Sequence, residues 1–173
     1  MSFHSNAPVA IIVVNYGSHA LIEKNLAEFR HDPARPVIVV DNYSSEGERA
    51  TVSEVCAAAG WHLVASADNG GFGRGCNLGA RRARELNASS LVFLNPDATM
   101  TASVVDELAA LVMEDRKLMV SPRIVDSSGA VVFDDVPAAL TDDVARDLYG
   151  LEANEVLERD DAPAPASALA AMA

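Results

Sequence analysis

The sequence is short of cysteine and positive charge, and it has no long apolar run. Its two cysteines, Cys56 and Cys76, stand among 173 residues without C-x-x-C spacing, so neither a disulfide framework nor a thioredoxin-like motif is expected. No uninterrupted apolar run exceeds the six residues of Val9–Val14, whereas a membrane span needs about 20. Because no basic-then-apolar leader precedes that run, we expect a protein of the reducing cytoplasm without a transmembrane segment.

Negative charge exceeds positive charge by a wide margin. There are 13 Lys and Arg residues against 25 Asp and Glu residues, which gives a formal net charge of −12. Residues 134–173 contribute −8 of this, from two arginines and ten acidic residues. A nucleic-acid-binding protein usually presents a basic face to phosphates, and the basic residues cluster here only at 81–84. A nucleic-acid partner is therefore not expected.

What the sequence does contain is an alternation of short β-branched runs with stretches of helical periodicity. A continuous apolar run such as Val9–Val14 is typical of a strand buried on both faces, and Ile22, Leu26 and Phe29 recur at helical spacing. This alternation predicts an α/β fold, with a mostly parallel sheet and helices on both faces. The predicted strands are residues 9–14, 37–40, 61–65, 91–94 and 118–120.

The pattern changes after residue 121. Residues 123–125 and 130–133 flank Asp126–Gly129, which predicts a β-hairpin. Residues 134–173 are acidic and rich in Ala and Pro, so we expect a partly disordered tail with one helix over 142–149. The chain is thus divided into a domain of residues 1–133 and a tail of residues 134–173.

Polar residues follow four of the predicted strands. Ligands of open α/β sheets bind outside the carboxyl ends of the strands, and turns also favour Asp and Asn for conformational reasons. One such ending is therefore ambiguous, but four together favour a site. They are Asn15-Tyr16, Asp41-Asn42, Asp68-Asn69 and Asn95-Pro96-Asp97.

The Gly-rich segment Asn69–Asn77 differs from the common phosphate-binding motifs. Cys76 stands where the third Gly of the dinucleotide fingerprint would be, and no Lys-Ser or Lys-Thr pair follows the last Gly, as a P-loop requires. The segment predicts a flexible loop that leads into a helix N-terminus, where backbone N–H groups favour a pyrophosphate. A surface loop without a ligand is the alternative.

Asn95-Pro96-Asp97 directly follows an apolar strand. One carboxylate is a poor metal site alone, but Mg²⁺ is often held by one or two carboxylates together with substrate phosphates. Asp97 is therefore a candidate ligand for Mg²⁺ or Mn²⁺, and a simple strand-ending turn is the alternative.

Four segments occur together in the order and at the spacing of a known family. They are Val13–Tyr16, Val39–Asn42, Asn69–Gly79 and Phe93–Asp97. In these segments the chain resembles the family 2 glycosyltransferases of the GT-A fold, particularly the bacterial rhamnosyltransferase-like branch. The resemblance extends over about residues 8–133.

The resemblance implies a role for each matching position. Asp41 would contact the uracil or thymine ring and the ribose, and Asn15 and Tyr16 would line the same pocket. Asp97 would be the ligand of Mg²⁺ or Mn²⁺, since Asn95-Pro96-Asp97 stands in place of the family's Asp-x-Asp motif. The nucleotide-binding residues implied in this way are Asn15, Tyr16, Asp41, Asn69, Gly71, Phe72, Gly73, Asn77 and Asn95.

The activity implied is inverting transfer of a hexose or deoxyhexose from a UDP- or dTDP-sugar to a glycan or lipid-linked acceptor. Such enzymes act in cell-wall or polysaccharide biosynthesis, in the cytoplasm or as peripheral proteins at the inner face of the membrane. Enzymes of this kind also carry a second half with the acceptor site and an acidic base, and nothing after Phe133 matches it. The chain is therefore expected to be the N-terminal, donor-binding half.

Three other interpretations stay open at this point. A non-catalytic nucleotide-sugar-binding module is compatible with the missing base, and a ligand-free interaction domain is compatible with the composition. A nucleotidyltransferase also combines a Gly-rich loop with metal-binding carboxylates, but its loop normally follows the first strand, where this chain has Asn15-Tyr16-Gly17-Ser18.

Overall fold

A computed structural model of the chain describes residues 7–114, 119–133 and 169–172. In chain order, the first elements are β1 (Val9–Asn15), α1 (His19–Asn25), a short 3₁₀ turn (Ala27–Phe29), β2 (Val37–Asp41), α2 (Glu46–Ala59), β3 (His62–Ala65) and α3 (Phe72–Glu85). They are followed by β4 (Ser90–Phe93), β5 (Ala98–Thr99), α4 (Ala102–Glu114), β6 (Arg123–Val125), β7 (Val131–Phe133) and β8 (Leu169–Met172).

The main sheet has the strand order β3-β2-β1-β4, and all its pairings are parallel. Every residue of β2 is buried, and so are six of the seven residues of β1, which explains their uninterrupted apolar sequences. One face packs against α1, α2 and α4 through residues such as Ile22, Val52 and Val105. The other face packs against α3 through Ala83 and Leu78, so the predicted α/β sheet with helices on both faces is confirmed.

A second, smaller sheet has the order β5-β8-β6-β7. β6 and β7 pair antiparallel around the turn at Asp126–Gly129, which confirms the predicted hairpin. β8 pairs with both β5 and β6. The sequence predicts no strand there, since these residues lie in the tail that is expected to be partly disordered. The predicted helix over 142–149 lies outside the described residues.

The strand predicted over residues 118–120 was wrong for the two residues that the structure describes. Met119 and Val120 belong to no strand, and they line an apolar groove of about 630 Å³ beside β4. Within the described part of the chain β4 is the outer strand of its sheet, and residues 119–120 lie across the groove from its free edge without pairing to it. Leu91 and Phe93 of β4 are 42% and 50% exposed on that edge.

The expected flexible loop over residues 69–77 was also wrong in extent, because α3 already begins at Phe72. Its glycines permit close packing of the helix on the sheet. A Cβ at Gly75 would lie 2.7 Å from Val14 Cγ1, and one at Gly79 would overlap Ile12 Cγ2. Helix α3 therefore packs with its backbone directly against side chains of β1.

We predict that Gly79→Ala destabilises the fold by about 1–3 kcal/mol, the usual cost of overpacking a core. The added methyl would meet Ile12, a fully buried β-branched residue with no room to move. Gly73→Ala is the matched control in the same helix, because a Cβ there has no neighbour within 4 Å. Urea unfolding should show a lower midpoint for Gly79→Ala and an unchanged or higher one for Gly73→Ala, and equal midpoints would contradict the packing argument.

Candidate functional site

The carboxyl ends of β1 and β2 form the centre of the candidate site. The parallel register pairs Asn15 with Asp41, and both side chains are fully buried. A polar side chain at such a position requires hydrogen-bond partners, because burying it unpaired costs free energy. The partners of each side chain show what it is able to do.

Asp41 is paired with an arginine from the next helix. Its Oδ2 accepts a hydrogen bond of 2.6 Å from Arg49 Nε, and Arg49 Nη2 also donates to the carbonyl oxygen of Ser66. The guanidinium lies over the Tyr43 ring, 4.7 Å from its centroid, and the hydrogen bond to Asp41 raises the pKa of Arg49. Asp41 Oδ1 is buried and has no hydrogen-bond partner in the part of the chain that the structure describes.

Asn15 belongs to a different network. Its Nδ2 donates to Glu48 Oε1 at 3.1 Å, and its Oδ1 accepts the N–H of Ser18 at 2.9 Å. Glu48 also accepts the N–H of His19 through Oε1 at 3.0 Å, and its Oε2 lies 2.6 Å from His19 Nδ1. The amide of Asn15 is thus engaged at both ends in shaping the turn after β1, while Tyr16 beside it is exposed.

Ser45 and Glu48 have the spacing of a capping box, but only half of that box is formed. Ser45 Oγ accepts the N–H of Glu48 at 3.1 Å, but the Glu48 carboxylate turns to Asn15 and His19. Burial alone would raise the pKa of Glu48, but the hydrogen bonds from His19 and Asn15 outweigh it and lower the pKa. Sequence reasoning missed His19, because its partner Glu48 is 29 residues away.

The loop between β3 and α3 is held by Asn42. Its Nδ2 donates to Asn69 Oδ1 at 2.9 Å, and its Oδ1 accepts the N–H of Gly70 at 3.2 Å. Gly71, with φ of +81°, precedes the first residue of α3, and its N–H donates to Asn69 Oδ1 at 3.1 Å. Asn42 therefore positions the helix N-terminus, a role that sequence reasoning did not assign to it.

The start of α3 is open to solvent. Phe72 is 55% exposed, and the other exposed residues here are Gly71, Gly73, Arg74 and Asn77. The backbone N–H groups in the first turn of a helix have no intrahelical acceptor, so this edge offers donors to an anion. An exposed ion pair, Arg74 with Asp68 at 2.7 Å, lies beside it.

Asn95-Pro96-Asp97 continues from β4 at the same edge of the sheet. The carbonyl oxygen of Pro96 accepts a hydrogen bond of 2.8 Å from Nδ2 of Asn25, a buried residue of α1. Asp97 is half-buried and has no hydrogen bond or ion pair with the rest of the described chain. The turn is thus fixed through its backbone, while its carboxylate stays available.

No group of three or more His, Cys, Asp or Glu side chains among the described residues could hold a metal alone. The free carboxylate of Asp97 fits a different arrangement, in which one protein ligand and the phosphates of a substrate share the ion. This edge of the sheet therefore combines a buried acceptor, an exposed helix N-terminus and one free carboxylate.

The comparisons with known proteins identify the family. The family model described as "Glycosyl transferase family 2" matches residues 10–149. The chain belongs to glycosyltransferase family 2. Among curated proteins, the low-salt glycan biosynthesis hexosyltransferase Agl10 of Haloferax volcanii is 34% identical over 125 residues, which cover 72% of this chain and 39% of that protein.

Solved structures similar to this family 2 chain include S. aureus TarS 1-349 in complex with UDP-GlcNAc, with 19% identity and a TM-score of 0.48 over 69% of this chain and 34% of that one. Another is the mannosyltransferase PcManGT from Pyrobaculum calidifontis in complex with GDP-Man and Mn²⁺, with 25% identity and a TM-score of 0.47 over 70% of this chain and 35% of that one. The chain thus spans about a third of the length of these structures and 39% of the hexosyltransferase.

A different relative matches only a short stretch of this chain. The phosphonates import ATP-binding protein PhnC 2 of Rhodopseudomonas palustris is 60% identical over 40 residues, or 23% of this chain and 15% of that protein. The phosphate-binding motif of such ATPases needs a Lys followed by Ser or Thr, and neither Lys24 nor Lys117 has that neighbour. This sequence therefore does not contain that phosphate-binding motif.

Family membership confirms the predicted resemblance, the glycosyltransferase class and, with the parallel sheet, the fold class. None of the helices that the structure describes is both long and apolar enough to span a membrane. The roles of the individual site residues stay predictions.

We predict a pH dependence of stability that arises from Glu48. Because its pKa in the folded chain lies below the ordinary value of 4.5, its contribution is complete above that value and is lost as the pH falls through the folded pKa. The wild-type protein should therefore lose more stability than Glu48→Gln between pH 5 and pH 3. Urea unfolding at each pH measures this difference. An equal loss of stability in both proteins would contradict the proposed contribution of the Glu48 hydrogen bonds.

Proposed function

We propose that the chain binds a nucleoside diphosphate sugar at the carboxyl edge of its parallel sheet, as the donor-binding part of an inverting glycosyltransferase. The observation that carries the proposal is the placement of three complementary groups at one edge. Asp41 ends β2 with a buried, unpartnered oxygen, the exposed first turn of α3 follows β3, and the free carboxylate of Asp97 follows β4.

Each group suits one part of the donor. A carboxylate is an acceptor, so Asp41 accepts from a uracil or thymine N–H or a ribose hydroxyl. The N–H groups of α3 donate to the diphosphate, with Asn69, Gly71, Phe72, Gly73 and Asn77 along it. Tyr16 and Asn95, both exposed, border the pocket. Asn15 fixes the turn below it through its partly buried hydrogen bonds to Glu48 and Ser18.

Asp97 is the residue of this chain that would hold Mg²⁺ or Mn²⁺. When bound there, the ion would supply positive charge that offsets the negative charge of the departing nucleoside diphosphate. Asn25 keeps the turn in place by its hydrogen bond to Pro96, so the carboxylate is presented at a fixed position.

The reaction is a displacement at the anomeric carbon. An acceptor hydroxyl attacks, the nucleoside diphosphate leaves from the opposite side, and the configuration inverts. The transferred group is a hexose or deoxyhexose, in keeping with the name of the hexosyltransferase relative. The acceptor is a glycan or lipid-linked sugar of cell-wall or polysaccharide biosynthesis, met in the cytoplasm or at the inner face of the membrane.

Transfer also needs a base within hydrogen-bond reach of the acceptor hydroxyl, which typically contributes 10²–10⁴-fold to the rate. We assign no such base among the described residues. We therefore expect this chain alone to bind the donor but to transfer sugar poorly. Release of free nucleoside diphosphate with an acceptor would demonstrate transfer, whereas pyrophosphate release would indicate a nucleotidyltransferase.

Calorimetry with UDP and dTDP, with and without Mn²⁺, tests donor binding. We predict that Mn²⁺ strengthens binding to the wild-type protein and has little effect on Asp97→Asn, because the amide keeps the shape but loses the charge that attracts the ion. Glu107→Gln is the matched control, since it removes one negative charge from an exposed position of α4. An equal response to Mn²⁺ in all three proteins would mean that Asp97 serves only as a turn residue.

A further inference from the structure

The interaction of Arg49 with Asp41 bears on which nucleotide base the site selects. This inference rests on the proposed function. Asp41 is fully buried at the end of β2. A carboxylate in that position is stabilised only if a cation and hydrogen bonds replace the water it has lost. Arg49 supplies both to Oδ2.

Arg49 is itself held in one orientation by three contacts from different segments. Nε donates to Asp41, Nη2 donates to the carbonyl oxygen of Ser66, and the guanidinium plane lies on Tyr43. Tyr43 has a φ of +49°, a left-handed conformation that is uncommon outside glycine and that recurs at functional sites. The guanidinium has hydrogen bonds in its plane and a ring against its face, so it cannot rotate freely. This restricts rotation of the carboxylate that it binds.

The other carboxylate oxygen of Asp41, Oδ1, is unpaired among the described residues. Its exposed surface is below 1 Å². A buried acceptor without a partner destabilises the fold, and a hydrogen bond from a ligand N–H would remove that cost. Because Asp41 is fully buried, a base reaches Oδ1 only when the residues over it shift.

We propose that Arg49 is a positioning residue that holds the Asp41 carboxylate in one orientation, and thereby makes the pocket prefer bases that present a ring N–H. An ionised carboxylate can only accept a hydrogen bond. The N3–H of uracil meets that requirement, whereas N3 of cytosine is an acceptor and leaves both groups unpaired. Sites built around one hydrogen bond reject analogues that lack the donor.

Removal of the guanidinium should weaken this discrimination. The Asp41 carboxylate then loses the contact that fixes its orientation, so Oδ1 no longer has one fixed position for a ring N–H. Arg49→Ala should bind UDP at least tenfold more weakly than the wild-type protein, with a smaller ratio of UDP affinity to CDP affinity. Arg49→Lys keeps the charge without the planar fork, so its affinity and its ratio should be intermediate.

The experiment is calorimetry of UDP and CDP with the wild-type protein, both Arg49 variants and Arg84→Ala. Arg84 is exposed in the last turn of α3, so its variant controls for net charge and should match the wild-type protein. If Arg49→Ala does not fold, the ratio of UDP affinity to CDP affinity in Arg49→Lys tests the proposal instead.

Three results overturn the proposal. Tighter UDP binding by Arg49→Ala would mean that Arg49 obstructs the pocket, and unchanged UDP binding would mean that it has no role there. An equal loss for UDP and CDP would indicate general damage to the pocket. A wild-type protein that binds neither UDP nor dTDP would overturn the proposed function itself.

Discussion

The parallel pairing of β1 with β2 is the constraint on which the rest of the structure depends. Each of the two strands is buried on both faces, so their register is set by a core above and a core below the sheet. That register places Asn15 beside Asp41, and the parallel strands on either side bring their own carboxyl ends to the same edge. The site is a direct consequence of strand direction, which is why polar residues at these ends are informative.

Each polar group at this edge is held by a side chain from a helix that packs against the sheet. Asp41 of β2 is bound by Arg49 of α2, Asn15 of β1 by Glu48 of α2, and the Pro96 carbonyl after β4 by Asn25 of α1. Such hydrogen bonds join residues between 8 and 71 positions apart. Because they are buried or partly buried, they are electrostatically stronger than they would be in water, and they make the edge rigid where a ligand must be positioned.

The same facts separate what the sequence predicts from what it does not. The runs in β1 and β2 and the stop of α2 at Gly60 are local signals, and the structure agrees with them. Residues 119–120 also look like a strand, but they do not pair with the free edge of β4, and no local pattern shows whether a segment pairs with a distant strand. The glycines of α3 look like a flexible loop, although Gly75 and Gly79 are set by contact with β1. The partners of Arg49 and Glu48 depend on the fold and have no signature in the sequence.

Electrostatics explains why two carboxylates at one edge can have different roles. Arg49 is committed to Asp41, and the nearby Arg74 is committed to Asp68. In a chain with a net charge of −12, these pairs leave little free positive charge to attract a diphosphate, so the helix N-terminus and a divalent ion become the remaining sources. Asp41, buried and paired with a cation, is suited to hydrogen-bond recognition of a base. Asp97 is half-buried and free of partners among the described residues, so its environment fits the proposed role of an ion ligand. The two proposed roles therefore follow from the surroundings of each carboxylate, since the residue type is the same.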